Sequence, residues 1–162
     1  MGVRINVFAG VGLLLLLAPA AHCQEDSPLA GFDTKEAEKL AMGMAKCAGL
    51  WDWLASGLEA EGKPASAQQM HNIGNGAETA AMWILANHHL ITSGKRTTYG
   101  SWSPLTAPKR EAAVTWLNSM AEIGDLERIN EESATCQSLL EAQESVIQMM
   151  RRDQVDAAQE QG

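Results

Sequence analysis

The stretch Leu40–Leu58, LAMGMAKCAGLWDWLASGL, decides the fold of this chain. Its large apolar residues recur at steps of three and four: Leu40, Met44, Cys47, Trp51, Leu54 and Leu58. Because an α-helix has 3.6 residues per turn, this spacing places all six side chains on one face. The stretch predicts an amphipathic helix, capped by Asp33 or Thr34 and ending near Glu61, that contributes Cys47 to a core.

The same periodicity predicts three further helices, so we expect an all-α, four-helix bundle-like single domain. The second helix covers about 65–91. Pro108 suits the first turn of the third helix, because a proline there loses no intrahelical hydrogen bond. The fourth helix begins at a cap, Asn130 or Ser133, and ends near 152.

Glycine and proline predict two interruptions of these helices. Gly74 and Gly76 lie inside the second helix, where each glycine costs about 1 kcal/mol relative to alanine, so we expect a kink or a break. The segment 92–107 contains two more glycines and Pro104. It is predicted to be a long surface connection.

The first residues, 1–23, are predicted to be an export signal. Arg4 gives a positive start, and Val7–Leu17 is an unbroken run of apolar residues and glycines. Cleavage is expected after Ala20 or Cys23. The apolar run is too short to act as a stable membrane span. We therefore expect a periplasmic or secreted protein without a membrane-spanning helix.

The mature chain is divided into a flexible arm at 24–32, a helical domain at 33–152 and a frayed tail at 153–162. A lipid anchor on Cys23 is not expected, because a lipoprotein signal needs a small residue before the cysteine and His22 stands there.

The cysteines point to one disulfide. In an oxidising compartment, Cys47 on the first helix and Cys136 on the last are expected to pair. The alternative is two separate buried thiols. As a disulfide, the pair would join the two helices that open and close the domain.

Charge and motif content exclude several classes of function. The formal net charge is −8 without a basic stripe, and such a surface repels a phosphate backbone, so no nucleic-acid partner is expected. There is no nucleophile elbow, no phosphate-binding glycine loop and no Cys-x-x-Cys pair. We therefore expect a protein that is not an enzyme and that has no cofactor.

The remaining hypothesis is contact with another protein, as an inhibitor, an immunity-type partner or a chaperone-like factor. Trp53 lies off the apolar face of the first helix, and Arg96, Tyr99 and Trp102 cluster in the connection at 92–107. Aromatic residues and arginine are enriched in interfaces. These four residues are the predicted partner-binding residues. The alternative is that another helix covers Trp53 and that the aromatic residues plug one end of the bundle.

A metal- or haem-binding bundle is the alternative function. His71, His88 and His89 lie on the second helix with Met70 and Met82, and imidazole and thioether groups bind soft or borderline metals. His88 and His89 are adjacent, so they point about 100° apart on a helix and share one ion poorly.

Overall fold

Residues 34–159 of the computed structural model are described, and all of them belong to helices or to short connections. The elements are α1 (Thr34–Ala60), α2 (Pro64–Ser93), a 3₁₀ turn (Tyr99–Trp102), α3 (Ser103–Glu122), α4 (Leu126–Ser138) and α5 (Leu140–Gln159). No strand occurs within 34–159, so the all-α prediction is confirmed. The predicted signal, its cleavage sites and the arm at 24–32 lie outside the described residues.

Helices α1 and α2 form an antiparallel hairpin with an alanine-rich interface. Gly62, at φ +74°, and Pro64 make the turn between them. Nine alanines in the two helices are at most 1% exposed: Ala37, Ala41, Ala45, Ala48, Ala55, Ala67, Ala77, Ala80 and Ala81. Small side chains let two helix axes approach closely, so these alanines form the close contact between α1 and α2.

The expected break at Gly74 and Gly76 is wrong, because α2 runs through both residues without interruption. A Cβ added to Gly74 would lie 3.1 Å from the Ala48 carbonyl oxygen of α1. One added to Gly76 would lie 2.7 Å from the amide nitrogen of Gln143, which donates to the Ile73 carbonyl at 3.0 Å. The glycines therefore allow close contacts with neighbouring elements, and α2 is not broken at them.

The connection after α2 is shorter than predicted. Helix α2 ends at Ser93 and is capped by Gly94, at φ +68°, so only 94–98 separate it from the 3₁₀ turn. Helix α3 begins at Ser103 with Pro104 in its first turn, and Pro108 lies inside the helix. The early start is explained by Thr106, which is fully buried and donates a hydrogen bond to Glu78 of α2.

The predicted fourth helix is divided into α4 and α5 at Leu139. It also starts earlier than Asn130, because the Asp125 carboxylate accepts a hydrogen bond from the Arg128 amide and caps α4. Helix α5 continues through the residues that were expected to fray, to Gln159. It contains neither glycine nor proline to end it earlier.

Two buried clusters hold the helices together. Cys47 of α1 and Cys136 of α4 form the predicted disulfide, which lies in one cluster with Leu50, Trp51 and Leu117. The other cluster contains buried residues of α1, α2 and α5, namely Ala37, Ala41, Met44, Ala45, Ala80, Ala81, Trp83, Ile84, Leu85 and Val146. Within 34–159, no helix combines the length and hydropathy needed to cross a bilayer.

Candidate functional site

A groove lies where the end of α2, the connection at 95–98 and the second half of α5 meet. We call it the α2–α5 groove, and its volume is about 270 Å³. Its lining consists of Trp83, Ala86, Asn87, Leu90, Arg96, Thr97, Thr98, Tyr99, Met150, Asp153 and Gln154. These residues come from three separate parts of the sequence, so the groove depends on the packing of α5 against α2.

The groove combines apolar and polar lining residues. Trp83 is 7% exposed and belongs to the buried cluster of α1, α2 and α5, against which Met150 also packs. Tyr99 remains 40% exposed at the start of the 3₁₀ turn, and Arg96 is also exposed. An exposed aromatic ring and a guanidinium beside an apolar floor form the composition found at protein interfaces.

Two of the predicted partner-binding residues, Arg96 and Tyr99, are therefore brought together, and Trp102 is placed elsewhere. The Trp102 ring packs against the α1–α2–α5 cluster, with its centroid 5.6 Å from that of His89. Its indole nitrogen donates to the Thr97 hydroxyl at 3.0 Å. Trp102 thus fixes the connection that carries Arg96 and Tyr99.

Trp53 is not among the residues that line the groove, and it contacts α3 instead. Its indole nitrogen donates to the Asn118 side chain at 2.9 Å, and its ring packs against the cluster around the disulfide. Another helix therefore covers part of Trp53, as the alternative interpretation of the sequence expected.

Apart from the groove, a network of polar side chains joins α1, α2 and α3 through Arg110. Its guanidinium donates to both Asp52 oxygens, at 2.5 and 2.8 Å, to Glu78 at 2.5 Å and to Asn75 at 3.0 Å. His71 lies 3.0 Å from the same Asp52 carboxylate. The apolar periodicity did not predict this network, although an aspartate between Trp51 and Trp53 in an apolar stretch is a signal for a partly buried ion pair.

The network perturbs two ionisable groups. Burial acts to raise the pKa of Asp52, but the hydrogen bonds from Arg110 and His71 outweigh it, and the pKa is lowered overall. The hydrogen bond to Asp52 in turn raises the pKa of Arg110 further above its usual value. Arg110 therefore favours the ionised form of the Asp52 carboxylate. A carboxylate with a lowered pKa is a weak base. The arrangement therefore favours a stabilising ion-pair network over acid–base catalysis.

The three histidines of the metal alternative are not brought together. His71 and His88 are 17 residues apart, which is about 25 Å along a helix that rises 1.5 Å per residue. His88 is 7% exposed, and neither of its ring nitrogens has a hydrogen-bond partner. His89 contacts Trp102. No joint metal site for these residues follows from this placement.

Within 34–159, the residues that come closest to a metal-binding group are Cys47, Glu132 and Cys136. The two sulfur atoms are joined to each other, so neither offers a thiolate, and thiolate is the form of cysteine that binds metals. Glu132 is paired with Lys46. In its disulfide form this cluster cannot hold an ion.

Comparisons with protein-family models, with curated proteins and with solved structures find no match to this chain. The geometry of the α2–α5 groove is therefore the basis for a functional proposal.

Proposed function

We propose that this chain is an exported, non-enzymatic helical protein that acts by binding another protein through the α2–α5 groove. The observation that carries the proposal is the exposed pair Arg96 and Tyr99 above an apolar floor formed by Trp83, Leu90 and Met150. Such anchors, surrounded by surface that excludes water, supply most of the energy of typical interfaces.

Export is supported by the apolar run Val7–Leu17 and by the disulfide between Cys47 and Cys136. Disulfides persist in the periplasm and outside cells and are rare in the cytosol. A partner would therefore be met in the compartment that the signal specifies.

Site-specific crosslinking in the producing cells tests the contact. A photoreactive phenylalanine analogue replaces Tyr99, and in a control protein it replaces Ile123, which is 71% exposed. Ile123 follows α3, about 30 Å along that helix from Ser103, so it reports on a different surface. We expect one discrete adduct from position 99 and none from position 123.

The companion variant Arg96→Glu should remove the adduct at position 99 without changing the thermal midpoint, since Arg96 is exposed and makes no ion pair within 34–159. Equal adducts from positions 99 and 123, or an adduct insensitive to Arg96→Glu, would refute contact through the groove.

A further inference from the structure

A carboxylate lies beside the disulfide between Cys47 and Cys136. Glu132 is one turn before Cys136 on α4, and its Oε1 atom is 3.8 Å from the Cys136 sulfur. A disulfide sulfur carries no proton, so this contact is not a hydrogen bond in the oxidised protein. Within 34–159, these three residues are the ones whose potential metal-ligand atoms all lie within 4.8 Å of one another.

The Glu132 carboxylate is oriented by its second oxygen. Oε2 pairs with the ammonium group of Lys46, which in turn lies 5.2 Å from the centroid of the Trp116 ring. The Glu132 side chain is 13% exposed and that of Lys46 is 45% exposed, so an ion can reach the cluster from the side of Lys46. One oxygen is thus aimed at sulfur by a partner on the other, and groups around metal sites orient ligands in the same way.

A cysteine pair is a dithiol before its disulfide forms, and the dithiol form changes what this cluster can bind. Reduction by a dithiol breaks the S–S bond, adds two electrons and two protons to the pair, and oxidises the reductant to its own disulfide. The two unbonded sulfur atoms then move apart to van der Waals contact, at roughly 3.5–4 Å.

These separations match those of a tetrahedral zinc site. With Zn–S distances of about 2.3 Å and a Zn–O distance of about 2.0 Å, tetrahedral angles place two sulfur ligands about 3.8 Å apart and a sulfur and an oxygen about 3.5 Å apart. The distance from the Cys136 sulfur to Glu132 Oε1 is 3.8 Å. The sulfur separation that reduction imposes is therefore also the one that zinc requires.

From this geometry we infer that the dithiol form of the protein binds zinc through the thiolates of Cys47 and Cys136 and through Glu132 Oε1, with a water molecule as the fourth ligand. Binding displaces both thiol protons to solvent. The ion and its three protein ligands then carry one excess negative charge, which Lys46 neutralises. Thiolates favour zinc over magnesium and calcium. Oxidation to the disulfide removes both sulfur ligands and releases the ion.

This site is separate from the proposed contact surface. None of its residues lines the α2–α5 groove, so a missing crosslink at position 99 would leave the zinc inference standing.

Metal titration of the mature protein tests the inference. The protein is reduced with a phosphine, which offers no thiol to compete for the ion, and is titrated with zinc against a chromophoric chelator. Cobalt(II) replaces zinc in a second titration, because its spectrum reports sulfur ligands and tetrahedral geometry. We expect one zinc ion per reduced chain and a sulfur-to-cobalt charge-transfer band. We expect neither from the disulfide form.

Paired variants identify the third ligand while keeping both cysteines. Glu132→Gln should weaken zinc binding by at least about tenfold, because loss of a group that merely orients a ligand already costs about 10- to 100-fold. Lys46→Met should weaken it by about tenfold through lost orientation. Glu131→Gln changes the exposed neighbour on the same helix and should leave the affinity unchanged.

Three results would overturn the inference: equal zinc uptake by the reduced and disulfide forms, an unchanged affinity in Glu132→Gln, or a cobalt spectrum without the charge-transfer band. Circular dichroism covers the case in which reduction unfolds the protein. Zinc should then restore the helical signal, because an ion that binds only the folded state stabilises it. A reduced chain that stays unfolded at saturating zinc would overturn the inference as well.

Discussion

At the scale of single residues, Arg110 is the polar side chain that joins three helices. Its side chain is 19% exposed and binds Asp52 and Glu78 on two other helices. Charged hydrogen bonds of this kind are shorter and stronger than neutral ones, so removing one carboxylate weakens the network even though Arg110 keeps the other. The network therefore fixes how α3 lies across the α1–α2 hairpin.

Replacing Asp52 by Asn should lower the free energy of unfolding by about 1–3 kcal/mol, because Arg110 loses its two-point carboxylate partner. Urea unfolding followed by circular dichroism measures the change. The matched control is Glu61→Gln, which removes a carboxylate from the exposed Lys63 pair and should leave the midpoint unchanged. Similar urea midpoints for Asp52→Asn and Glu61→Gln would contradict a stabilising role of the Arg110–Asp52 ion pair.

The stabilisation from Asp52 should depend on pH in one direction. Because its folded-state pKa is lowered, the stabilisation is fully present above the unfolded-state pKa, about 4. It is lost as the pH falls through the folded-state pKa. The difference in unfolding free energy between wild type and Asp52→Asn should therefore be constant near neutral pH and shrink below about pH 4. If the difference in unfolding free energy instead grew as the pH falls, the pKa of Asp52 would be raised in the folded state and not lowered.

At the scale of elements, glycines set how closely the helices cross. A Cβ added to Gly49 of α1 would overlap the Arg110 carbonyl oxygen and lie 2.7 Å from the Ala113 Cβ of α3. Gly57, in the same helix, has nothing within 4 Å of such a Cβ. The two positions therefore separate the effect of packing from the effect of helix propensity.

We expect Gly49→Ala to destabilise the protein by about 1–3 kcal/mol through overpacking. Gly57→Ala should instead stabilise it by about 0.5–1 kcal/mol, since alanine favours the helix and no contact is disturbed. Thermal or urea unfolding of both variants gives the comparison. If Gly49→Ala also stabilised the protein, the crossing of α1 and α3 would not require a glycine at position 49.

Periodicity predicted the helices well where large apolar residues recur, as from Leu40 to Leu58. It failed where a local signal had two physical meanings. Gly74 can mark a bend or a close contact, and only the position of Ala48 on the neighbouring helix decides between them. Pro104 and Pro108 both fit a first turn, and the buried contact of Thr106 with Glu78 selects the earlier start.

At the scale of the whole molecule, the disulfide joins α1 to α4 across 89 residues. On the chain-entropy model, a loop of this length stabilises the folded state by about 4–5 kcal/mol, because it restricts the unfolded chain. Reduction should therefore lower the thermal midpoint. Scanning calorimetry with and without reductant measures the shift, and a Cys47→Ala, Cys136→Ala double variant should show the lower midpoint and no response to reductant.

The candidate site was predicted in part. Arg96 and Tyr99 stood out because aromatic and basic residues cluster in a connection of an acidic chain. The sequence did not indicate that Trp83 and Met150 would lie beside Arg96 and Tyr99. Trp83 and Met150 are on different helices, and 67 positions separate them. Only the packing of α5 onto α2 makes them neighbours.

The division at Leu139 gives the two halves of the last helical segment different attachments. Cys136 tethers α4 covalently to α1, whereas α5 is joined to the rest of the molecule only through Leu139 and its non-covalent packing. After a single proteolytic nick at this joint, the wall of the groove that carries Met150 and Asp153 would be held by non-covalent packing alone. The remaining four helices would stay crosslinked through the Cys47–Cys136 disulfide, so the buried cluster around it would keep its covalent tie.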